Sequence, residues 1–187
     1  MLRPTVQSSM RSPRRAPRDE RLRTMSLSVD IATEADAAEI AALRTSAGQH
    51  LTQRYGLRPT CVTEKSVLRG IATSRVLVAR ERGAIVATLR LATKKPWAID
   101  LTYFATVPRA LYLHDMAVEP SRQDKGVGRT LVEEAKAQAR AWPSQAIRLD
   151  AYDAAHGAGE FYAKCGFVEV GKATYRKTPL VYFELLL

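Results

Sequence analysis

The stretch "VEPSRQDKGVGRTLVEEA", residues 118–135, carries two glycines one residue apart, Gly126 and Gly128, after a turn and at the start of a helix. Val127, Leu131, Ala135 and Ala139 recur at helical spacing, and Pro143 ends the run. The first amides of a helix have no intrahelical acceptor, and the helix dipole makes them partly positive. Glycine removes the side chain that would keep a ligand away from them. Arg122, Lys125 and Arg129 add full positive charges, while Asp124 has the wrong sign and is expected to face solvent. Such a turn suits a phosphate. The Walker pattern is absent, and the dinucleotide fingerprint fails because position 131 is leucine. What stands is Gln123-x-x-Gly126-x-Gly128. Alone, it reads equally well as a tight strand-to-helix turn.

Working outward, "LYLHDMAV" (111–118) reads as a strand feeding this turn, closed by Pro120. Towards the N-terminus, Leu27, Val29 and Ile31 alternate as in a strand. Thr33 then caps a helix, with Asp36 three residues on and Ile40, Leu43, Ala47 and Leu51 on one face. Thr63 caps a second, short helix carrying Val67, Leu68 and Ile71. "RVLVAR" and "AIVATLRLA" are two strands joined by "ERG", a hairpin signal. "WAIDLTYFATVPRA" is expected to be partly extended. After the glycine helix come the strand "AIRLDAY", a short helix "GAGEFYAKC" with Gly166 as its stop, and the strands "FVEV" and "LVYFELLL". The order is strand, two helices, three strands, helix, strand, helix, two strands. The fold class expected is α/β, or mixed α+β, with one sheet and helices on both faces.

Length and charge narrow the class. The 187 residues, 46% apolar, suit one domain that buries its own core. Cys61 and Cys165 are far apart and form no CxxC pair, so a reduced, cytoplasmic protein is expected. His50, His114 and His156 are scattered, and no metal is expected. No run reaches the roughly 20 apolar residues of a membrane helix. The net charge is +10, and residues 1–24 hold seven arginines against Asp19 and Glu20. That Arg/Pro/Ser-rich segment is expected to be a disordered tail, or a misplaced start with Met25 as the true one. Residues 25–187 are then the domain. A basic arm for nucleic acid and a transit peptide are the less favoured readings of the tail.

A second motif, "FYAKCGFVEV" (161–170), follows the first in the right order and at the right spacing. Together with "LHDMAVEPSRQDKGVGRTLVEEA", it closely resembles the GNAT-type N-acetyltransferase superfamily, over residues 27 to about 187. The resemblance implies a mostly antiparallel central sheet of about seven strands and acetyl-CoA as the cofactor. It implies that Gln123, Asp124, Lys125, Gly126, Val127, Gly128, Arg129 and Thr130 cradle the coenzyme pyrophosphate. It further implies that the main chain of Met116, Ala117 and Val118 pairs with the pantetheine arm as an added strand would. Tyr162 matches the family's tyrosine near the coenzyme sulfur. A phenol near pKa 10 can protonate a thiolate near 8.5 as a general acid. The oxyanion would meet the backbone N–H of Met116 or Ala117. One position departs from the pattern: many relatives carry asparagine seven residues before the tyrosine, where this chain has Ala155.

An alkylammonium near pKa 10.4 costs about 4–5 kcal/mol to deprotonate at pH 7. Tyr112 and His114 share a strand face and fall where relatives place acid/base groups, with His114 the better base. Asp115 is expected on the opposite face unless a bulge intervenes. Glu160 and Lys164 read as a surface pair, and Cys165 as a small buried hydrophobe. The expected function is direct acetyl transfer from acetyl-CoA to a primary amine, that of a small molecule ahead of a protein. The alternatives are a non-catalytic acetyl-CoA sensor, or transfer to a protein N-terminus or lysine. Acceptor walls are expected from residues 49–57 and from "TYRKTPLVYF", with Tyr55, Tyr175, Arg176 and Tyr182. "LVYFELLL" as an edge strand would offer a surface for a homodimer.

Overall fold

A computed structural model of the protein describes residues 27–56, 61–155 and 157–187. The arginine-rich segment 1–24, Met25 and His156 lie outside the described residues, as does Leu57 of the expected acceptor wall, and the Tyr55 side chain is likewise undescribed.

Seven strands form one sheet: β1 (Ser28–Ile31), β2 (Arg75–Glu81), β3 (Ala84–Ala92), β4 (Ala110–Val118), β5 (Ala146–Tyr152), β6 (Val168–Tyr175) and β7 (Thr178–Leu186). Their spatial order is β1-β2-β3-β4-β5-β7-β6. Every neighbouring pair is antiparallel except β4 with β5. Among the described residues, four α-helices accompany the sheet: α1 (Ala37–Tyr55), α2 (Glu64–Thr73), α3 (Val127–Ala141) and α4 (Gly159–Lys164). The one parallel contact follows from α3, because a helical crossover returns the chain to the same end of the sheet.

Thr63 caps α2 as expected, while Thr33 caps a 3₁₀ turn, Glu34–Asp36, that runs directly into α1. The Thr33 amide donates to Asp36 Oδ2 at 2.8 Å, and the Ser66 amide donates to Thr63 Oγ1 at 3.3 Å. The β2–β3 turn takes Arg82 and Gly83 at φ 53° and 85°, the double left-handed step of a tight hairpin.

Two apolar layers sandwich the sheet. On one face, Leu77, Leu89, Leu111, Leu113, Ile147 and Leu149 pack against Leu131, Val132 and Ala135 of α3 and Tyr162 of α4. On the other, Val76, Val78, Ile85 and Ala117 pack against Ile40, Leu43 and Val67 of α1 and α2. Each fully buried leucine or isoleucine contributes about 1.5–3 kcal/mol.

Three expectations are corrected. Leu51 is 44% exposed, in the last turns of α1 beyond the buried Ile40, Leu43 and Ala47. Of "WAIDLTYFATVPRA" only Ala110 is in a strand, as the first residue of β4; residues 97–109 are a loop with one 3₁₀ turn, Leu101–Tyr103. Ile99 and Phe104 from that loop are buried with Tyr112, Leu180 and Tyr182 in a third cluster. The loop is pinned by a buried ion pair, Arg148 Nε to Glu184 Oε1 at 2.9 Å. Arg148 also donates to the Ala105 carbonyl, and Glu184 accepts from the Ala105 amide. Finally, β7 is not an edge strand: it lies between β5 and β6, with both edges paired, so "LVYFELLL" offers no free edge to a second copy.

Candidate active site

β4 and β5 pair only from Ala110 with Ala146 to Tyr112 with Arg148. Beyond that point β4 stays with β3 and β5 stays with β7, so the facing edges of the two strands open into a mouth in the middle of the sheet. Main-chain groups along residues 113–118 therefore have no β5 partner, and this segment includes Met116, Ala117 and Val118.

A bulge reshapes β4 inside this mouth. Arg90 pairs with His114 and Thr88 with Ala117, so Asp115 and Met116 together oppose Leu89. Asp115 takes φ 59°, the left-handed region. The bulge shifts the alternation, so Asp115 joins Tyr112 and His114 on the α1 side. Its carboxylate meets Arg44 Nη2 at 2.5 Å, Arg90 Nη1 at 3.5 Å and His114 Nδ1 at 3.3 Å. Burial alone would raise the Asp115 carboxyl; the His114 hydrogen bond and the two arginines outweigh it and hold the carboxyl below the usual range. His114 Nε2 is buried with no hydrogen-bond partner among the described residues. Tyr112 is buried in the cluster with Ile99 and Tyr182.

Past β4 the chain makes a 3₁₀ turn at Pro120–Arg122 and enters α3. Asp124 at φ 59° and Gly126 at φ 81° are both left-handed, and Asp124 and Lys125 are exposed. A Cβ on Gly126 would meet nothing within 4 Å, so this position opens onto free space. Gly128 differs: a Cβ there would lie 3.2 Å from Met116 Cε and 3.3 Å from the Phe161 ring. Its bareness lets α3 sit close to β4 and α4.

The expected cationic rim is partly committed elsewhere. Arg122 pairs with Glu81 at 2.7 Å, and Arg129 donates to the Lys164 carbonyl at 2.8 Å, closing the end of α4. Lys125 makes no ion pair among the described residues. The Gln123 amide nitrogen donates to the Val118 carbonyl at 3.4 Å, and Thr130 Oγ1 donates to the Gly126 carbonyl at 3.3 Å. Val127 is buried in the core.

Tyr162 comes from α4 on the other face and reaches the same mouth. Its hydroxyl donates to Met116 Sδ at 3.6 Å. Burial first, then the charge of Asp150, pushes its phenol well above the usual value, so it stays protonated. Cys165 is buried, and Glu160 pairs with Lys164 at 2.6 Å. Ala155, where relatives carry asparagine, is exposed in the turn before α4. Of the expected acceptor wall, Tyr182 is buried and donates to the Ala98 carbonyl at 2.5 Å, so it is not a free wall residue.

Sequence reasoning left Asp150, Arg44 and Arg90 out of the site. For Asp150 a signal existed: an acid set between Leu149 and Ala151 within a buried strand. The arginines carried none, because only the tertiary fold brings α1 and β3 beside Asp115. Among the described residues, no group of three His, Cys, Asp or Glu is placed to hold a metal ion, and no helix is long and apolar enough to cross a membrane.

Comparison with known proteins bears on this arrangement. No curated protein matches the chain by sequence. The fold recurs in solved structures. A ribosomal-protein-alanine N-acetyltransferase of Brucella melitensis matches with TM-score 0.67 at 20% identity, covering 85% of this chain and 99% of that one. The PaiA N-acetyltransferase of Thermoplasma acidophilum, in complex with coenzyme A, matches with TM-score 0.68 at 14% identity, covering 84% and 98%. An N-acetyltransferase of Staphylococcus aureus Mu50 matches with TM-score 0.65 at 18% identity, covering 86% and 98%. A family model described as acetyltransferase (GNAT) domain matches residues 72–169, from the end of α2 into β6 and across both strands of the mouth. Because that match spans more than half of the sequence, the chain belongs to the GNAT acetyltransferases, a family whose activity is acetyl transfer from acetyl-CoA.

Proposed function

We propose that the protein acetylates a primary amine, most readily that of a small molecule, by direct attack within a ternary complex. The observation that carries this reading is the opening between β4 and β5, with the bare start of α3 at one end and Tyr162 reaching in from α4. The residues fit coenzyme A. Residues 116–118 offer a main-chain edge for an amide-bearing arm. Gln123, Asp124, Lys125, Gly126, Val127, Gly128, Arg129 and Thr130 form the turn and the first turn of α3, whose leading amides, before that of Thr130, have no intrahelical acceptor.

When bound, acetyl-CoA supplies a thioester carbon for the amine to attack and a thiolate to leave. The nitrogen carries three protons as ammonium and one as amide, so two must depart. His114 takes the first before attack and releases it to solvent. Tyr162 gives its phenolic proton to the departing sulfur and recovers one from the nitrogen. A β4 amide, that of Met116 or Ala117, donates to the carbonyl oxygen as it gains charge. Tyr112, one strand repeat before His114, is packed into the cluster with Ile99 and Tyr182 and anchors this part of β4.

Calorimetry with acetyl-CoA, followed by thiol release across a panel of amines, tests the reading. Micromolar binding with turnover of at least one amine is expected; binding without any turnover would mark a sensor. Tyr162→Phe should lower kcat about 100-fold with little change in coenzyme affinity. An unchanged rate would remove its role as acid. A peptide N-terminus is the second acceptor class, favoured by the fold shared with the Brucella melitensis enzyme named for ribosomal-protein alanine. Alanyl peptides in the panel distinguish the two.

A further inference from the structure

His114 is held at one ring nitrogen only. Nδ1 lies 3.3 Å from Asp115 Oδ2, while Nε2, at the opposite side of the ring, is buried and unpartnered among the described residues. A buried polar atom left unpaired is costly. The arrangement around it has no slack. The bulge that places Asp115 on the histidine side uses a left-handed non-glycine residue, a strained conformation. Arg44 from α1 and Arg90 from β3 then fix both carboxylate oxygens, so Asp115 cannot turn away from the ring.

Asp150 completes the picture from β5. Tyr112 is in register with Arg148, and His114 and Asp150 each lie two residues beyond that last pair. In a strand, residues two apart share a face. The two side chains therefore stand abreast across the mouth, on the α1 side of the sheet. Asp150 makes no ion pair among the described residues. Burial pushes its carboxyl up, and its own backbone amide and His114 offset this only in part. The charged or titratable groups that face His114 are thus Asp115 on its own strand, Arg90 on β3, Arg44 on α1 and Asp150 on β5.

We propose that Asp115 is a positioning residue that fixes His114 as its Nδ1–H tautomer, leaving Nε2 to accept a proton from the acceptor, and that Asp150 docks the acceptor's ammonium beside it. The substrate class that follows is an amine that arrives as a cation, an alkylamine rather than an arylamine. A carboxylate without a cation is completed by one. An imidazole held at one nitrogen is a base in a fixed direction, the relation seen where a buried aspartate orients a catalytic histidine. The proposal rests on the acetyl-transfer reading of this mouth.

The first test needs no substrate. ¹⁵N spectra of the full chain at neutral pH report the protonation of each imidazole nitrogen, and loss of signals in His114→Gln assigns this ring among the three histidines. The wild-type ring should carry its proton on Nδ1, with Nε2 bare. Asp115→Asn should mix the tautomers. A wild-type ring protonated on Nε2 overturns the proposal, even if the Asp115 variant fails to fold. The second test uses saturating acetyl-CoA with alkylamines and with an arylamine, which is already unprotonated at neutral pH. Asp115→Asn should lower kcat/KM for alkylamines about 100-fold and spare the arylamine. Asp150→Asn should raise the alkylamine KM about tenfold, leaving the arylamine KM and the His114 tautomer unchanged. Equal losses on both amine types overturn the proposal while leaving acetyl transfer intact. Acetyl-CoA binding with no turnover of any amine overturns the transfer reading and the proposal with it.

Discussion

Gly126 and Gly128 stand two residues apart and serve different ends. Gly126 has φ 81° and open space where a Cβ would project. Its substitution costs backbone strain of about 1–2 kcal/mol and sets a side chain over the uncovered amides. Gly126→Ala should weaken acetyl-CoA binding at least about tenfold by calorimetry, with Tm falling only a few degrees. Gly128 has ordinary backbone angles, but its Cβ would press on Met116 and Phe161. Gly128→Val should lower Tm more than Gly126→Ala does, because both neighbours lie in packed structure. The motif spelled out both glycines, yet it could not tell a bare amide from a close approach. That distinction depends on where β4 and α4 place their side chains.

At the scale of elements, β6 and the loop before β4 lock together through an absence. A Cβ on Gly171 would lie 2.1 Å from the Tyr103 ring, which also sits edge-on to Tyr182 with centroids 5.3 Å apart. Gly171→Ala should destabilise by about 1–3 kcal/mol, measured by denaturant unfolding. In Gly171→Ala with Tyr103→Ala, the combined loss should be smaller than the sum of the two single losses. Neither residue announces this contact in the sequence, where 68 positions separate them.

The elements themselves were mostly legible. Caps at Thr33 and Thr63, the hairpin at Arg82–Gly83 and the α3 stripe all rest on local rules, and local rules act on neighbours in the chain. The bulge in β4 was not legible, because "HDM" alternates as well without it. The place of β7 inside the sheet escaped for a related reason: which strand a segment joins is decided by partners far along the chain.

The whole molecule should respond to acid through its ion-paired carboxylates. In Asp36, burial would raise the carboxyl, but hydrogen bonds from Thr33 and Arg80 together with the Arg80 charge lower it. Asp115 is lowered in the same way by His114, Arg44 and Arg90. A carboxyl whose folded pKa is depressed binds its proton less readily when folded. Its contribution is complete above the unfolded value, about 3.9, and is lost as pH falls through the folded one. Asp150 has the opposite sign: its raised carboxyl costs stability once ionised, and acid relieves that cost. Urea midpoints should therefore hold down to about pH 4 and drop below it. Asp36→Asn should be less stable at neutral pH and show a shallower acid limb.

Two motifs and the spacing between them were enough to identify the family, because these rest on residues near one another in the chain. Only the tertiary structure brought Arg44, Arg90, His114, Asp115 and Asp150 around one opening. Their meeting depends on a one-residue bulge and on where two parallel strands cease to pair. Both are settled by packing across the sheet, a long-range balance that no local pattern of residues encodes.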